Sequence, residues 1–212
     1  MYIQKLRKHC VNVYCLDIEF SRLLNSLVAP DTLACGSCER LPYADGSFDR
    51  VISHEVLEHV NNDAAAAREI VRVLAAPEKS RGKPGGRAII FAPNRYYPFE
   101  THGMYWRNRY YFGNIPLLNY LPCRLRGRLA PHVRAYLRRD LYDLFGGANV
   151  RILSHTVIYG GYDNVVARWG TAGYWLRSFL QSLEHTPLRW LGLSHFMVVE
   201  KVAPHNVVFH IL

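Results

Sequence analysis

No apolar run in the 212 residues comes near the roughly 20 needed for a helix to cross a bilayer. The polar opening Met1-Tyr2-Ile3-Gln4-Lys5 lacks the order of a secretory leader. The five cysteines are odd in number and scattered, which argues against a disulfide framework and suits a reducing compartment, so the expected location is cytoplasmic. Cys35-Gly36-Ser37-Cys38 has no second C-x-x-C and no close histidine pair to complete four zinc ligands. A thioredoxin-like pair would open a helix in a different strand order. The pair is therefore taken as incidental, and no metal is expected. Repeats and low-complexity tracts are also absent. Acid is scarce in one region above all. Residues 95–139 hold nine arginines against a single carboxylate, Glu100.

Half of the residues are apolar, enough for one core, so residues 1–212 are expected to form a single domain. The net charge of +9 comes mainly from the arginine block. Such a block could face nucleic acid, an anionic membrane surface or an acidic substrate, or be a solvated basic face. Residues 96–130 are aromatic, proline-punctuated and basic, which suits a lid or insertion rather than a regular strand–helix unit.

Strand and helix patterns alternate along the chain. Tyr2 to His9 fits the end of a helix, Val11 to Asp17 a strand, and Phe20 to Val28 a helix. Thr32 to Cys35 and Arg50 to Ser53 are short strands, and Glu55 to Leu74 carries a helical apolar face. Residues 76–86 form a Pro/Gly/charged loop before a strand over Arg87 to Ala92. Arg138 to Phe145 is a helix, with His132, Arg134 and Tyr136 expected at its start. Val150 to Ser154 and Phe196 to Lys201 are the late strands. The order implies an α/β fold with a Rossmann-like, doubly wound, mostly parallel sheet. The late strands are expected as an antiparallel edge addition.

Ligands bind at the carboxyl ends of strands in such sheets, so polar side chains there carry the chemistry. Asp17 ends a strand, and its carboxylate could accept ribose hydroxyls or cap the next helix. Residues 45–60 make a turn, a buried strand and a polar junction containing Ser53 and His54. His59 lies within Leu57-Glu58-His59, and near neutral pH it could serve as a base or pack structurally. After the strand ending near Ala92 come Asn94, Tyr96, Tyr97, Glu100, His102, Tyr105 and Trp106, where substrate contacts or an aromatic loop core are expected. His195 is expected to pack.

Asp17, Glu39-Arg40-Leu41-Pro42-Tyr43-Ala44-Asp45-Gly46-Ser47-Phe48-Asp49, Val56-Leu57-Glu58-His59-Val60, Pro84-Gly85-Gly86 and Pro93-Asn94 follow one another in a recognisable order. That series resembles the class I S-adenosylmethionine-dependent methyltransferases, type 11 in particular, from residue 1 to about 155. The resemblance implies S-adenosylmethionine as cofactor. It would place Asp17 and Ile18 at the ribose, Ser37, Cys38 and Glu39 along the adenine, and Ser53 and His54 at the methionine end. Ser37 stands where many relatives carry an aspartate. His54, His59 and His102 are the catalytic candidates; Asn94, Tyr96, Tyr97, His102 and Trp106 are the substrate-binding ones. One departure stands out. The family's glycine-rich turn after the first strand has no counterpart, so the chain is expected to be an N-terminally truncated or mis-started form lacking that strand. A short form without cofactor binding is the competing account.

Methyl transfer asks mainly for alignment, so the lack of an obvious acid–base pair does not oppose it. The expected activity is methyl transfer to a small-molecule or lipid-like acceptor. The alternative is a catalytically inactive methyltransferase-like module that holds an anionic partner through the arginine-rich insertion, with Arg124, Arg126 and Arg128 as its contacts. No recognised nucleic-acid motif accompanies the arginines, which makes nucleic acid the weaker partner.

Overall fold

The computed structural model describes residues 9–10, 12–24, 32–147 and 149–203. The expected helix end at Tyr2 to His9 falls outside them apart from His9, as do Val11 and the far end of the expected 20–28 helix.

Two short strands, β1 (Cys15–Asp17) and β2 (Leu33–Cys35), pair in parallel, with helix α1 (Phe20–Leu24) between them. A second sheet contains β3 (Arg50–His54), β4 (Arg87–Pro93), β10 (Ser194–Lys201) and β9 (Val150–Ile158), side by side in that order. β3 and β4 are parallel. β10 runs antiparallel to both β4 and β9. The sheet is therefore mixed. The late strands lie together at one edge of it, as expected, but only β10 opposes β3 and β4, and it is the inner of the two, with β9 outermost. Ser194 pairs with Ile158, so the chain leaves β9 and re-enters β10 at the same end of the sheet, which forces the reversal. Met197 and Val199 on β10 are fully buried, as an interior strand requires.

Along β4 the residues Ala88, Ile90 and Ala92 alternate into the core. They meet α2 (Asp63–Val73) through Ala66, Ala67 and Ile70, and α4 (Arg138–Phe145) through Leu141 and Phe145. The spacing of those side chains is the helical three-and-four repeat. α2 begins where the Asn62 side chain accepts the Ala65 amide at 2.9 Å, with Asp63 in its first turn.

The expected helix over 55–74 is thus eleven residues long and starts at Asp63. Glu55 sits in the left-handed region at φ 53°, and the Asn61 and Asn62 amides donate to the Glu39 carboxylate at 2.7 and 3.1 Å. Amides spent on a distant side chain cannot also extend a helix backwards.

Gly85 and Gly86 precede β4 where the chain passes close to its neighbours. A Cβ on Gly85 would overlap the Lys201 carbonyl oxygen, and one on Gly86 would stand 2.7 Å from that of Phe48. β9 extends four residues beyond the expected strand, to Ile158. Residues 96–130 contain two strand pairs, β5 (Phe99–Glu100) with β8 (Ile115–Pro116) and β6 (Met104–Trp106) with β7 (Arg109–Tyr111), followed by α3 (Cys123–Leu129). Between β9 and β10 lie α5 (Asp163–Trp169) and α6 (Thr171–Ser182).

Candidate active site

Two pairs of contacts orient the small sheet against the large one. Tyr14, just before β1, meets Phe48, just before β3, with ring centroids 5.6 Å apart. Glu39, after β2, holds Asn61 and Asn62, after β3. Starts lie beside starts and ends beside ends, so Asp17, Ser37, Ser53 and His54 all sit at carboxyl ends of strands that run the same way.

Each of these residues has a definite local role. Asp17 Oδ1 accepts the Glu19 amide at 2.9 Å in the turn before α1, and a carboxylate has room for further donors. Ile18 is 76% exposed beside it. Ser37 Oγ accepts the Glu39 amide at 3.1 Å. Cys38 turns inward and packs against the core, where burial pushes its thiol up. Cys35 and Cys38 are both free thiols, and Cys35 Sγ lies 3.6 Å from the Ile18 carbonyl oxygen. Ser53 is buried, and the exposed His54 lies against Phe91 with centroids 4.8 Å apart.

The chain brings His59 and His102 together from distant segments. Their ring centroids are 5.0 Å apart. Glu58 lies beneath them, 1% exposed, with Oε1 3.8 Å from His59 Nε2. Neither Glu58 oxygen has a hydrogen-bond donor, and the charge of a second carboxyl, Glu55, acts on it. Burial, then the Glu55 charge, pushes the Glu58 carboxyl up to about 9. Burial, then His102, lowers His59 from its ordinary value, so its imidazole is neutral at pH 7. His102 Nδ1 donates to Glu100 Oε1 at 2.9 Å, and Glu100 Oε2 accepts from Arg126 at 2.5 Å. Burial pushes Glu100 up, but the bonds from His102 and the charge of Arg126 outweigh it and hold the carboxyl below its usual range. His132 donates through Nε2 to the His102 carbonyl at 3.1 Å. Glu58, His59 and His102 offer ligand atoms within 4.8 Å of one another, a donor set of the type that takes a borderline divalent cation.

Other expected site residues go elsewhere. Asn94 is buried, and its amide donates to the Trp190 and Gly192 carbonyls at 2.8 and 2.7 Å, fastening the end of β4 to the chain entering β10. Tyr97 is half-buried beside Tyr162, while Tyr96 and Trp106 are exposed. His54 is not part of the His59–His102 pair. Arg126, expected to meet an anionic partner, is 5% exposed and serves Glu100, Asn119 and the Val133 carbonyl instead. His132, Arg134 and Tyr136 precede α4 rather than beginning it. Arg134 grips the Val60 and Asn61 carbonyls, and the Tyr136 hydroxyl donates to Leu57. His195 is buried as expected. Glu58 carried no expected role of its own, because its lack of donors arises only from folding.

Residues 1–90 match a family model described as a methyltransferase domain. The Escherichia coli (strain K12) protein YafE is 36% identical over 85 residues, 40% of this chain and 35% of that protein, so the match spans about a third of that relative's length. Among solved structures, an S-adenosylmethionine-dependent methyltransferase from Mesorhizobium loti aligns with a TM-score of 0.57 at 14% identity, covering 94% of this chain and 85% of that one. No helix among the described residues is long and apolar enough to cross a membrane.

Proposed function

We propose that this chain is a class I S-adenosylmethionine-dependent methyltransferase, a reading supported by the methyltransferase-domain match over residues 1–90 and by the fold, and that it methylates a small-molecule or lipid-like acceptor. What carries the reading is the convergence of Asp17, Ser37, Ser53 and His54 at like-facing strand ends, with the His59–His102 pair in the loops beyond. The residues present suit the cofactor on the side they form: a strand-end carboxylate for two hydroxyls, and a serine oxygen for an amino group. Asp17 and Ile18 would hold the ribose, the Ser37–Glu39 turn the adenine, and Ser53 and His54 the methionine end.

The cofactor supplies a methyl already activated on a sulfonium, so the chain's own task is alignment and proton handling. His59, neutral and partly exposed, takes the acceptor's proton where the acceptor carries one. Glu100 orients His102 by accepting its Nδ1 proton. Exposed aromatic side chains around the 96–130 segment suit an apolar acceptor.

Calorimetric titration with S-adenosylmethionine and its demethylated product tests the reading. Asp17→Ala is expected to weaken cofactor affinity by about tenfold or more, the worth of a hydrogen bond to a charged group. Absence of heat and of any thermal shift with either compound would rule the reading out for this chain. The second reading, an inactive module for an anionic partner, draws on the exposed Arg107, Arg109, Arg124 and Arg128.

A further inference from the structure

All four tryptophans face outward: Trp106, Trp169, Trp175 and Trp190 are 50%, 56%, 67% and 48% exposed. Large aromatic side chains are normally buried for most of their area, so their joint exposure marks a surface with an occupant. They fall in two patches. The first surrounds β6 and β7, where Phe112 is 81% exposed and Leu117 60%. The second is the α5–α6 hairpin. α5 buries no residue and α6 buries only Gly173. A Cβ on Gly173 would stand 2.6 Å from the Val165 carbonyl, so the glycine lets the two helices close on each other. Trp175 and Phe179, one turn apart on α6, are left pointing away at 67% and 61% exposure. Tyr96 meets Trp190, ring centroids 5.5 Å apart, which ties the 96–130 segment to the stretch between α6 and β10.

Charge and chemistry select the occupant. Arg107 and Arg109 lie in the β6–β7 hairpin and Arg124 and Arg128 on α3, which packs against β6; all four are exposed. Aliphatic as well as aromatic side chains are exposed in the same segment, Leu117 and Leu125 among them. Exposed leucines do nothing for stacking on bases, whereas an acyl boundary buries them. Tryptophan and tyrosine settle at headgroup depth, and arginine stems lie along apolar surface while their guanidinium groups reach phosphate.

We propose that this aromatic, arginine-rimmed face docks the protein on an anionic phospholipid surface. Trp175 and Phe179 enter the headgroup–acyl boundary, and the four arginines meet lipid phosphates. The protein lies on the bilayer rather than crossing it. The inference rests on the proposed function only in giving a lipid-like acceptor a place to be met, since docking itself needs no methyl transfer.

The test is flotation of the untagged full chain with phosphatidylcholine vesicles, with and without phosphatidylglycerol, monitored by tryptophan emission. The expected result is binding to the anionic vesicles with a blue shift, weakened by salt. Converting the four arginines to glutamine should cost about fivefold per charge. Trp175→Ser with Phe179→Ser should abolish most of the blue shift and weaken binding at least about tenfold; circular dichroism checks that the variants fold. Equal binding to neutral vesicles, or binding to neither, overturns the proposal. So does tighter capture of single-stranded RNA than of vesicles, or a concentration-dependent dimer that the double variant dissolves. Cofactor-induced thermal shifts on the same variants keep the methyltransferase reading separate, because they report on the strand ends and not on this face.

Discussion

Arg126 donates to Glu100 at 2.5 Å, and the two side chains are among the most deeply buried charges in the protein. One arginine of a basic block is thereby withdrawn from the surface and made the anchor of the segment carrying His102. Its other nitrogens donate to Asn119 Oδ1 and the Val133 carbonyl, so the guanidinium ties three stretches of the chain together.

Arg126→Met should therefore leave a buried carboxylate with a missing partner and destabilise by about 3–5 kcal/mol. Arg124→Met and Arg128→Met, at exposed positions on the same helix, should stay within about 0.5 kcal/mol. Chemical denaturation of the three variants makes the comparison.

Glu58 titrates the other way from an ordinary paired carboxylate. Its folded value of about 9 lies above the ordinary 4.5, so its contribution is full below the unfolded value and is lost as pH rises through about 9. Glu58→Gln carries no charge to bury, so its melting temperature should gain on that of the parent as pH climbs from neutral to alkaline. A constant difference across that range would show that Glu58 does not titrate as a buried acid.

His155 works at the opposite end. His195 Nε2 donates to the Tyr136 carbonyl at 2.9 Å, which leaves its Nδ1 to accept from His155 Nε2 at 3.0 Å. His155 Nδ1 is buried without a partner, and burial, then His195 and Arg138, lowers its value to about 4. Stability is thus complete above the unfolded value near 6.5 and is lost as pH falls through about 4. Melting curves should decline over that window, and His155→Gln, which keeps a donor and cannot titrate, should flatten the decline.

Gly85→Ala should destabilise by about 1–3 kcal/mol or more, because the added methyl overlaps the Lys201 carbonyl where β10 ends. Gly127→Ala, with open space around its Cβ position, should leave the midpoint unchanged or raise it slightly. Parallel urea titrations would distinguish the two.

The α/β class was legible because strand patterns are local. Arg87–Pro93 and Arg138–Phe145 lie where apolar periodicity and Pro/Gly punctuation put them. The helix over 55–74 misled because its apolar spacing is real, while just before Asp63 the Asn61 and Asn62 amides are taken by Glu39 and the Asn61 carbonyl by Arg134, all from distant segments. Asp17 and Ser37 could be singled out for the same local reason, since a polar residue directly after a short strand marks the ligand-binding end of a sheet. Asn94 met the same criterion, yet its amide is spent on two carbonyls nearly a hundred residues away.

By itself the sequence determined where the strands of the two main sheets begin to run, though not the short strands β5 to β8, which loops carry polar side chains and the likeness of Leu57-Glu58-His59 and its companions to a methyltransferase. Only the tertiary structure decided that His59 meets His102, that Glu58 lies beneath them without a donor, and that Arg126 is interior while Arg124 and Arg128 are not. The physical reason is the same in each case. Periodicity and turn chemistry act over a few residues, whereas burial and hydrogen-bond partners are set by whichever distant segments the closed core brings within reach.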